Sequence, residues 1–141
     1  VAYNDSRVFA EFARCAVEGK DIVLHTKGET VRNYCYIIDA ITAIATILVH
    51  GELGCAYNVA GDNTVVSIYE MANRFVKYSN HDISVKIQND INEGMGYNPI
   101  VKIELVNELI KTLGWTSQCD IDMAIKNFLE YMREIGEEFD K

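Results

Sequence analysis

The chain has 141 residues, of which 49% are apolar and 24% are charged, and its formal net charge is −8. This length predicts one domain with a substantial core, and the composition is ordinary for a soluble globular protein. The negative charge disfavours binding to nucleic acid or to anionic lipid headgroups. An anionic small ligand would need a local positive pocket.

The four cysteines stand apart, with no Cys-x-x-Cys pair and no histidine at ligand spacing, which is not a zinc pattern. Their low density and the absence of a signal-peptide pattern favour reduced thiols in a cytoplasmic protein. The longest apolar run, residues 37–49, contains Asp39 and is too short to span a bilayer. The chain begins with Val1 and leads directly into a helical pattern, so we expect it to be a piece of a longer protein.

The first predicted helix is capped by Asp5 or Ser6 and ends at Gly19. Its apolar side comprises Val8, Phe9, Phe12, Ala13, Ala16 and Val17. A short strand is predicted at residues 21–26, followed by a turn at 27–29. His25 is a lone histidine in that strand, for which a structural role is expected ahead of a catalytic one.

A second strand is predicted at residues 31–36, where alternation places Arg32, Tyr34 and Tyr36 on one side and Asn33 and Cys35 on the other. A guanidinium beside two phenols suits a phosphorylated ligand, because arginine presents a rigid fork of donors to phosphate oxygens. The alternatives are a surface or interface ion pair for the arginine and ordinary core or strand packing for the tyrosines.

The next helix is predicted to have Asp39 as its N-cap and Gly51 as its C-terminal stop. Its apolar positions at helical spacing are Ile41, Ile44, Ala45 and Leu48.

The remaining predicted elements are a strand at 56–60, a helix opened by the Ser67–Glu70 capping box, a strand at 83–88, a surface loop at 89–99, a short helix at 103–113 and a last helix capped by Asp120 or Asp122. About five helices interleaved with several short strands predict a mixed α/β fold without internal repeats. No Gly-x-Gly-x-x-Gly loop, Tyr-x-x-x-Lys pair or Ser-His-Asp set stands out, so no catalytic residue is predicted in this chain.

Four segments in register carry a family resemblance: V-F-A-E-F with G-K-D-I-V-L at residues 8–24, G-E-T-V-R-N-Y-C-Y-I-I-D-A at 28–40, A-Y-N-V-A-G with S-I-Y-E at 56–70, and L-G-W at 113–115. Their order resembles the C-terminal half of the extended short-chain dehydrogenases, the NAD-dependent epimerase/dehydratase family that acts on nucleotide sugars. The resemblance covers nearly the whole chain.

The resemblance implies that residues 1–141 form a single substrate-binding domain, the C-terminal portion of a Rossmann-type enzyme. The NAD-binding Rossmann part, with its Gly-rich loop and catalytic Tyr–Lys pair, would lie outside this chain. The parent would be a homodimer that isomerises or dehydrates a nucleotide sugar through a transient hydride transfer. We then expect the chain alone to be inactive and to expose a large apolar surface where the Rossmann half docks.

The substrate-binding residues implied by the resemblance are Arg32 for the diphosphate, Val23, Leu24 and His25 for the nucleoside pocket, and Arg7, Val8 and Phe9 at the border of the ligand. Asn33 stands where the family usually has an acidic residue, and residues 89–99 contain no second arginine to clamp the nucleotide. The nucleotide, the sugar, and the choice between epimerase and dehydratase stay open. The alternatives are a non-catalytic nucleotide- or anion-binding module and an interaction domain without a ligand.

Overall fold

The computed structural model describes residues 2–88 and 101–139, the last three by their backbone alone. Within these ranges it contains α1 Val8–Glu18, β1 Ile22–Leu24, β2 Val31–Asn33, α2 Ile37–His50, β3 Val65–Ser67, α3 Ile68–Tyr78, β4 Val85–Ile87, α4 Glu108–Lys111 and α5 Ile121–Phe139. The predicted mixed α/β fold with five helices and short strands is confirmed. The loop predicted at 89–99 lies outside the described residues.

The strands form two small sheets. β1 pairs with β4 in parallel, with Ile22 opposite Val85, and β2 pairs antiparallel with β3, with Arg32 opposite Val66. Residues 101–103 run beside the free edge of β2.

Two predicted elements are corrected. Residues 56–60 form no strand, and at the end of this segment a side chain takes the place of a strand partner: the amide of Asn107 donates to the carbonyl of Ala60 at 3.0 Å. The helix predicted at 103–113 begins only at Glu108, because the N–H of Ile103 donates to Val31 and holds the preceding segment extended.

The main core lies between α1, α3, α5 and the inward side of β1. Its fully buried members include Phe75, Met71, Ile22, Ile125, Leu129 and Met132. A smaller cluster holds the inner side of α2 through Ala43, Ile110 and Trp115. The indole N–H of Trp115 donates to the hydroxyl of Thr42 at 3.0 Å, which fixes α2 against the segment before α5.

The predicted helix ends are confirmed in part. Gly19 ends α1 in the left-handed conformation with φ 69°, and the Ser67–Glu70 capping box opens α3 with both of its hydrogen bonds. Asp120 caps α5, since its carboxylate accepts from the N–H of Met123 at 2.8 Å.

The other two predicted caps are wrong. The N-cap of α1 is Arg7, and the carboxylate of Asp5 accepts from the Arg7 N–H just outside the helix. The N-cap of α2 is Tyr36, and Asp39 lies inside the first turn with its carboxylate buried against the chain before α5.

The apolar side of α2 faces outward. The large apolar side chains of this helix that are more than half exposed are Ile37, Ile38, Ile41, Ile44, Leu48 and Val49. The helix carries a single aspartate, Asp39, which is buried, and no lysine or arginine. A helix that is apolar on every side belongs to the interior of a larger body, either a protein or a membrane. No helix among the described residues has the length and apolarity needed to cross a membrane.

Asp21 fastens the start of the β1–β4 pair. The Lys86 ammonium, together with the N–H and hydroxyl of Ser84, lowers the pKa of Asp21 to about 2. Because this pKa lies below the usual value of 3.8, the stabilisation is complete above pH 3.8 and is lost as the pH falls through about 2.

We therefore predict that Asp21→Asn flattens the acid limb of stability. The urea midpoint should fall less between pH 5 and pH 2.5 in this variant than in the unchanged chain. Asp82→Asn, at an exposed aspartate, is the control and should keep the steeper fall. An equal fall in all three proteins would contradict the assignment.

Candidate functional site

Arg32 lies on β2 with its side chain half-buried. Its Nη1 donates to the carbonyls of Val31 at 3.2 Å and Val101 at 3.3 Å. In the part of the chain that the structure describes, no carboxylate pairs with this guanidinium, and Nε and Nη2 have no hydrogen-bond partner. Within those residues, the ion-pair alternative for Arg32 therefore finds no support. Backbone carbonyls hold the group, and its positive charge is available to an anion.

Tyr34 lies next to this charge. Burial raises the pKa of the Tyr34 phenol, and the positive charge of Arg32 opposes that rise. The two side chains are thus within electrostatic reach of one another, which agrees with their predicted common side.

The predicted alternation does not extend past β2, which ends at Asn33. The carbonyl of Tyr34 is taken by the N–H of Gly61 at 2.9 Å and by the hydroxyl of Thr64 at 2.6 Å, so the chain turns toward α2. Four consecutive residues then face one cavity of about 620 Å³. Its lining residues are Phe9, Tyr34, Cys35, Tyr36, Ile37, Thr64, Ala124, Asn127, Phe128 and Tyr131.

Aromatic rings form the walls of this cavity. The ring centroid of Phe9 lies 5.7 Å from that of Tyr34 and 5.3 Å from that of Phe128. The ring centroid of Phe9 also lies 5.0 Å from that of Phe75, so the Phe9 side chain packs against the core and lines the cavity as well. Burial raises the pKa of the Cys35 thiol, which makes it a poor nucleophile.

A second cavity of about 390 Å³ shares Phe9, Tyr34 and Phe128 with the first and extends to Arg7 and Val8. The sequence did not identify Phe128 and Tyr131 as site residues; its pattern placed them only within the last predicted helix. An aromatic pair at i and i+3 was the available signal, but this spacing is equally usual in a core.

Arg7 stands at the rim with its side chain three-quarters exposed, and its charge is already compensated. Its Nη2 lies 2.6 Å from Oδ2 of Asp5, and Nε of Arg7 donates to the same oxygen at 2.9 Å. These contacts lower the pKa of Asp5 to about 2. Of the two arginines, Arg32 is therefore the better placed to bind an anion.

The nucleoside residues implied by the resemblance lie apart from both cavities, on β1 and just after it. Val23 and His25 are exposed and share one side of the chain, whereas Leu24 is 5% exposed and belongs to the core. The carbonyl of Leu24 already accepts from the N–H of Gln88 at 2.8 Å, so neither this carbonyl nor the buried side chain is free for a ligand. The structure thus brings Arg7, Val8 and Phe9 to the cavities with Tyr34, and leaves Val23 and His25 on a separate surface.

Metal binding finds no support among the described residues, since no three His, Cys, Asp or Glu side chains come together there. The four cysteines are unpaired.

Known proteins resemble this chain in both sequence and fold. The NAD dependent epimerase/dehydratase family model matches residues 2–60. The dTDP-D-glucose 4,6-dehydratase of Mus musculus is 25% identical over 131 residues, which cover 91% of this chain and 36% of that protein. The chain therefore spans about a third of the length of this relative.

Two crystal structures show the same fold. UDP-glucose 4-epimerase of Thermotoga maritima, solved with UDP-glucose, aligns with a TM-score of 0.78 at 19% identity over 94% of this chain and 41% of that one. The dTDP-glucose 4,6-dehydratase of Bacillus anthracis, in complex with NAD, aligns with a TM-score of 0.73 at 20% identity over 93% of this chain and 40% of that one.

Proposed function

Because this chain belongs to the NAD-dependent epimerase/dehydratase family, we propose that it is the substrate-binding part of a nucleotide-sugar epimerase or dehydratase, with Arg32 binding the substrate diphosphate. The observation that carries this proposal is the state of the Arg32 guanidinium. It is held by two backbone carbonyls, and none of the carboxylates in residues 2–88 and 101–136 pairs with it, although the chain has a net charge of −8.

The other parts of the ligand are assigned around this anchor. Val23 and His25 offer exposed side chains to the nucleoside, and the backbone of Leu24 lies between them. Phe9 and the rim residue Arg7 border the sugar side through the aromatic cavities. The function of these groups is to hold the diphosphate so that the sugar is presented in one orientation.

The described residues do not fit NAD itself. The N-termini of α1 and α3 already hold the chain's own carboxylates, Asp5 just before α1 and Glu70 in the capping box of α3. In the first turn of α2, the carboxylate of Asp39 is engaged by the N–H groups of Gln118 and Cys119. NAD supplies the hydride acceptor and donor in such chemistry, and we assign its binding to a part of the enzyme outside these residues. We accordingly expect the 141-residue chain alone to give no turnover with NAD and nucleotide sugars.

The outward face of α2 supports the assignment to a larger enzyme. Six apolar side chains that are more than half exposed form a face without charge, which a self-contained binding module would have to keep in water. Ile37 belongs to this face and also lines the aromatic cavity, so one covering body would close both. We assign that cover to the NAD-binding part of the same enzyme.

The test is the affinity of the chain for nucleoside diphosphates. Arg32→Gln should weaken binding of UDP or dTDP by about 10- to 100-fold, because hydrogen bonds to a charged group contribute about 1.5–3 kcal/mol. Arg32→Lys keeps the charge but loses the fork of donors, so its affinity should lie between those of the unchanged chain and Arg32→Gln. Binding is measured by titration calorimetry and by the rise in melting temperature with UDP, dTDP, GDP and CDP sugars.

Arg133→Gln is the matched control. Arg133 is an arginine of α5 that donates to the carbonyl of Tyr78, away from the proposed site, and its loss should leave the affinity unchanged. If no nucleotide raises the melting temperature of the unchanged chain, the proposed site is refuted.

A further inference from the structure

The side chain of Asn33 joins three segments of the chain. Its Oδ1 accepts from the N–H of Leu105 at 2.7 Å, and its Nδ2 donates to Thr64 Oγ1 at 3.2 Å and to the carbonyl of Gly61 at 3.5 Å. The short contact with an N–H requires the oxygen, and the carbonyl requires the nitrogen, so the two ends of the amide are not interchangeable.

The contact with Leu105 completes a backbone ladder. Val31 donates to the carbonyl of Val101 at 2.9 Å and accepts from the N–H of Ile103 at 3.1 Å. Two residues further along each of these two segments, the N–H of Leu105 donates to the side-chain oxygen of Asn33. The amide of Asn33 therefore holds the end of segment 101–105 against β2.

The same ladder holds Arg32. The carbonyl of Val101 accepts both from the Val31 N–H and from Nη1 of Arg32, the latter at 3.3 Å. A movement of segment 101–105 away from β2 would displace this carbonyl and release the guanidinium to rotate. Asn33 and Arg32 are thus coupled through Val101, although their side chains point to opposite sides of the strand.

We propose that Asn33 is a positioning residue, whose amide clamps segment 101–105 to β2 and so fixes the Arg32 guanidinium in its anion-binding orientation. The inference rests on the proposed function for the identity of the anion, but not for the clamp.

The decisive comparison is between Asn33→Ala and Asn33→Asp. Alanine removes the acceptor for Leu105, and we expect about a tenfold loss of affinity for UDP or dTDP. Aspartate keeps that acceptor but loses both donations to Gly61 and Thr64. It should therefore lower the melting temperature while keeping the affinity within about threefold of the unchanged chain. A merely structural role would move affinity and stability together.

A second readout needs no ligand. Phenylglyoxal modifies exposed arginines, and mass spectrometry of the digested chain reports the rate at Arg32 relative to Arg133 as an internal reference. Asn33→Ala should raise this ratio several-fold, and Asn33→Asp should leave it unchanged. Asn33→Ser, which is too short to reach Leu105, replaces the alanine variant if that variant does not fold.

Ser117→Ala is the stability control. It removes the 2.7 Å hydrogen bond that Ser117 accepts from the N–H of Asp62, and so loosens the turn beside Gly61 without touching Leu105. The modification ratio should stay at its original value. The clamp is refuted if Asn33→Ala leaves the Arg32 ratio unchanged, or if Asn33→Asp raises it equally. Failure of every nucleotide to bind, with the ratio behaving as expected, would refute the proposed ligand and leave the clamp established.

Discussion

Replacing Asp39 with alanine is expected to lower the free energy of unfolding by about 3 kcal/mol or more, because two hydrogen bonds to a buried charged group are lost together. The Asp39 side chain is 3% exposed, and its two oxygens accept from the N–H groups of Gln118 and Cys119, each at 3.0 Å. Alanine would leave both N–H groups without this acceptor and would remove a negative charge from the first turn of α2.

The consequence extends to the cavity, because residues 118 and 119 lead directly into α5. That helix supplies Phe128 and Tyr131 to the aromatic wall, while α2 supplies Ile37. Asp39 therefore fixes the distance between two walls that are far apart in sequence. We expect the variant to lose the Phe9–Phe128 contact as well as stability.

The sharper form of the test uses asparagine at two aspartates. Asp39→Asn keeps one acceptor but turns an NH₂ group toward a backbone N–H, so it should still be strongly destabilising. Asp120→Asn changes an exposed N-cap, where asparagine is as good as aspartate, and should have little effect. Urea unfolding curves provide the comparison. Equal midpoints for the two variants would show that the hydrogen bonds of Asp39 to residues 118 and 119 contribute no more to stability than an exposed cap does.

This aspartate also shows where sequence reasoning ends. An acidic residue before an apolar helical run predicts an N-cap. The local pattern does not distinguish the cap itself, here Tyr36, from the position three residues further into the helix, where Asp39 lies. The partners of Asp39 are 79 and 80 residues away, and their backbone N–H groups leave no mark on the sequence. The caps at Ser67 and Asp120 were predictable because their hydrogen bonds are local.

The same division holds at the candidate site. The phosphate chemistry of Arg32 and its common side with Tyr34 follow from residue type and strand alternation. The alternation fails from Cys35 onward because Gly61 and Thr64, distant in sequence, capture the carbonyl of Tyr34. A cavity built from α1, residues 34–37 and α5 depends on such contacts and could not be read from periodicity.

Periodicity identified the apolar side of α2 correctly but could not say what covers it. Ile44 is 57% exposed and Leu48 is 81% exposed, whereas Ala43 on the opposite side is fully buried. A spacing pattern gives a direction around the helix axis, and both sides of this helix are apolar. The neighbour of the outer side is not among the described residues.

The largest functional effect is therefore expected from a double substitution, Ile44→Glu with Leu48→Glu. In the 141-residue chain these side chains already lie in water, so stability should change by less than about 0.5 kcal/mol for each surface substitution. In the larger enzyme that we propose, with its NAD-binding part, the two carboxylates would be buried without partners at a cost of several kcal/mol each. Turnover of the nucleotide sugar should then fall at least about 100-fold.

Val106→Glu is the matched control, since Val106 is an apolar residue with 64% exposure that lies outside α2. It should leave turnover unchanged. Sedimentation of the 141-residue chain separates the two possible covers of the α2 face. One outcome is that this chain dimerises, that the double variant is monomeric, and that the larger enzyme carrying the same variant keeps its turnover. In that case a second copy covers α2, and the assignment of the cover to the NAD-binding part is wrong. If turnover collapses while the chain stays folded, the α2 face is where the substrate-binding and NAD-binding parts meet. The continuous path from β2 through residues 34–36 to α2 would then hold Arg32 at a fixed distance from the cofactor.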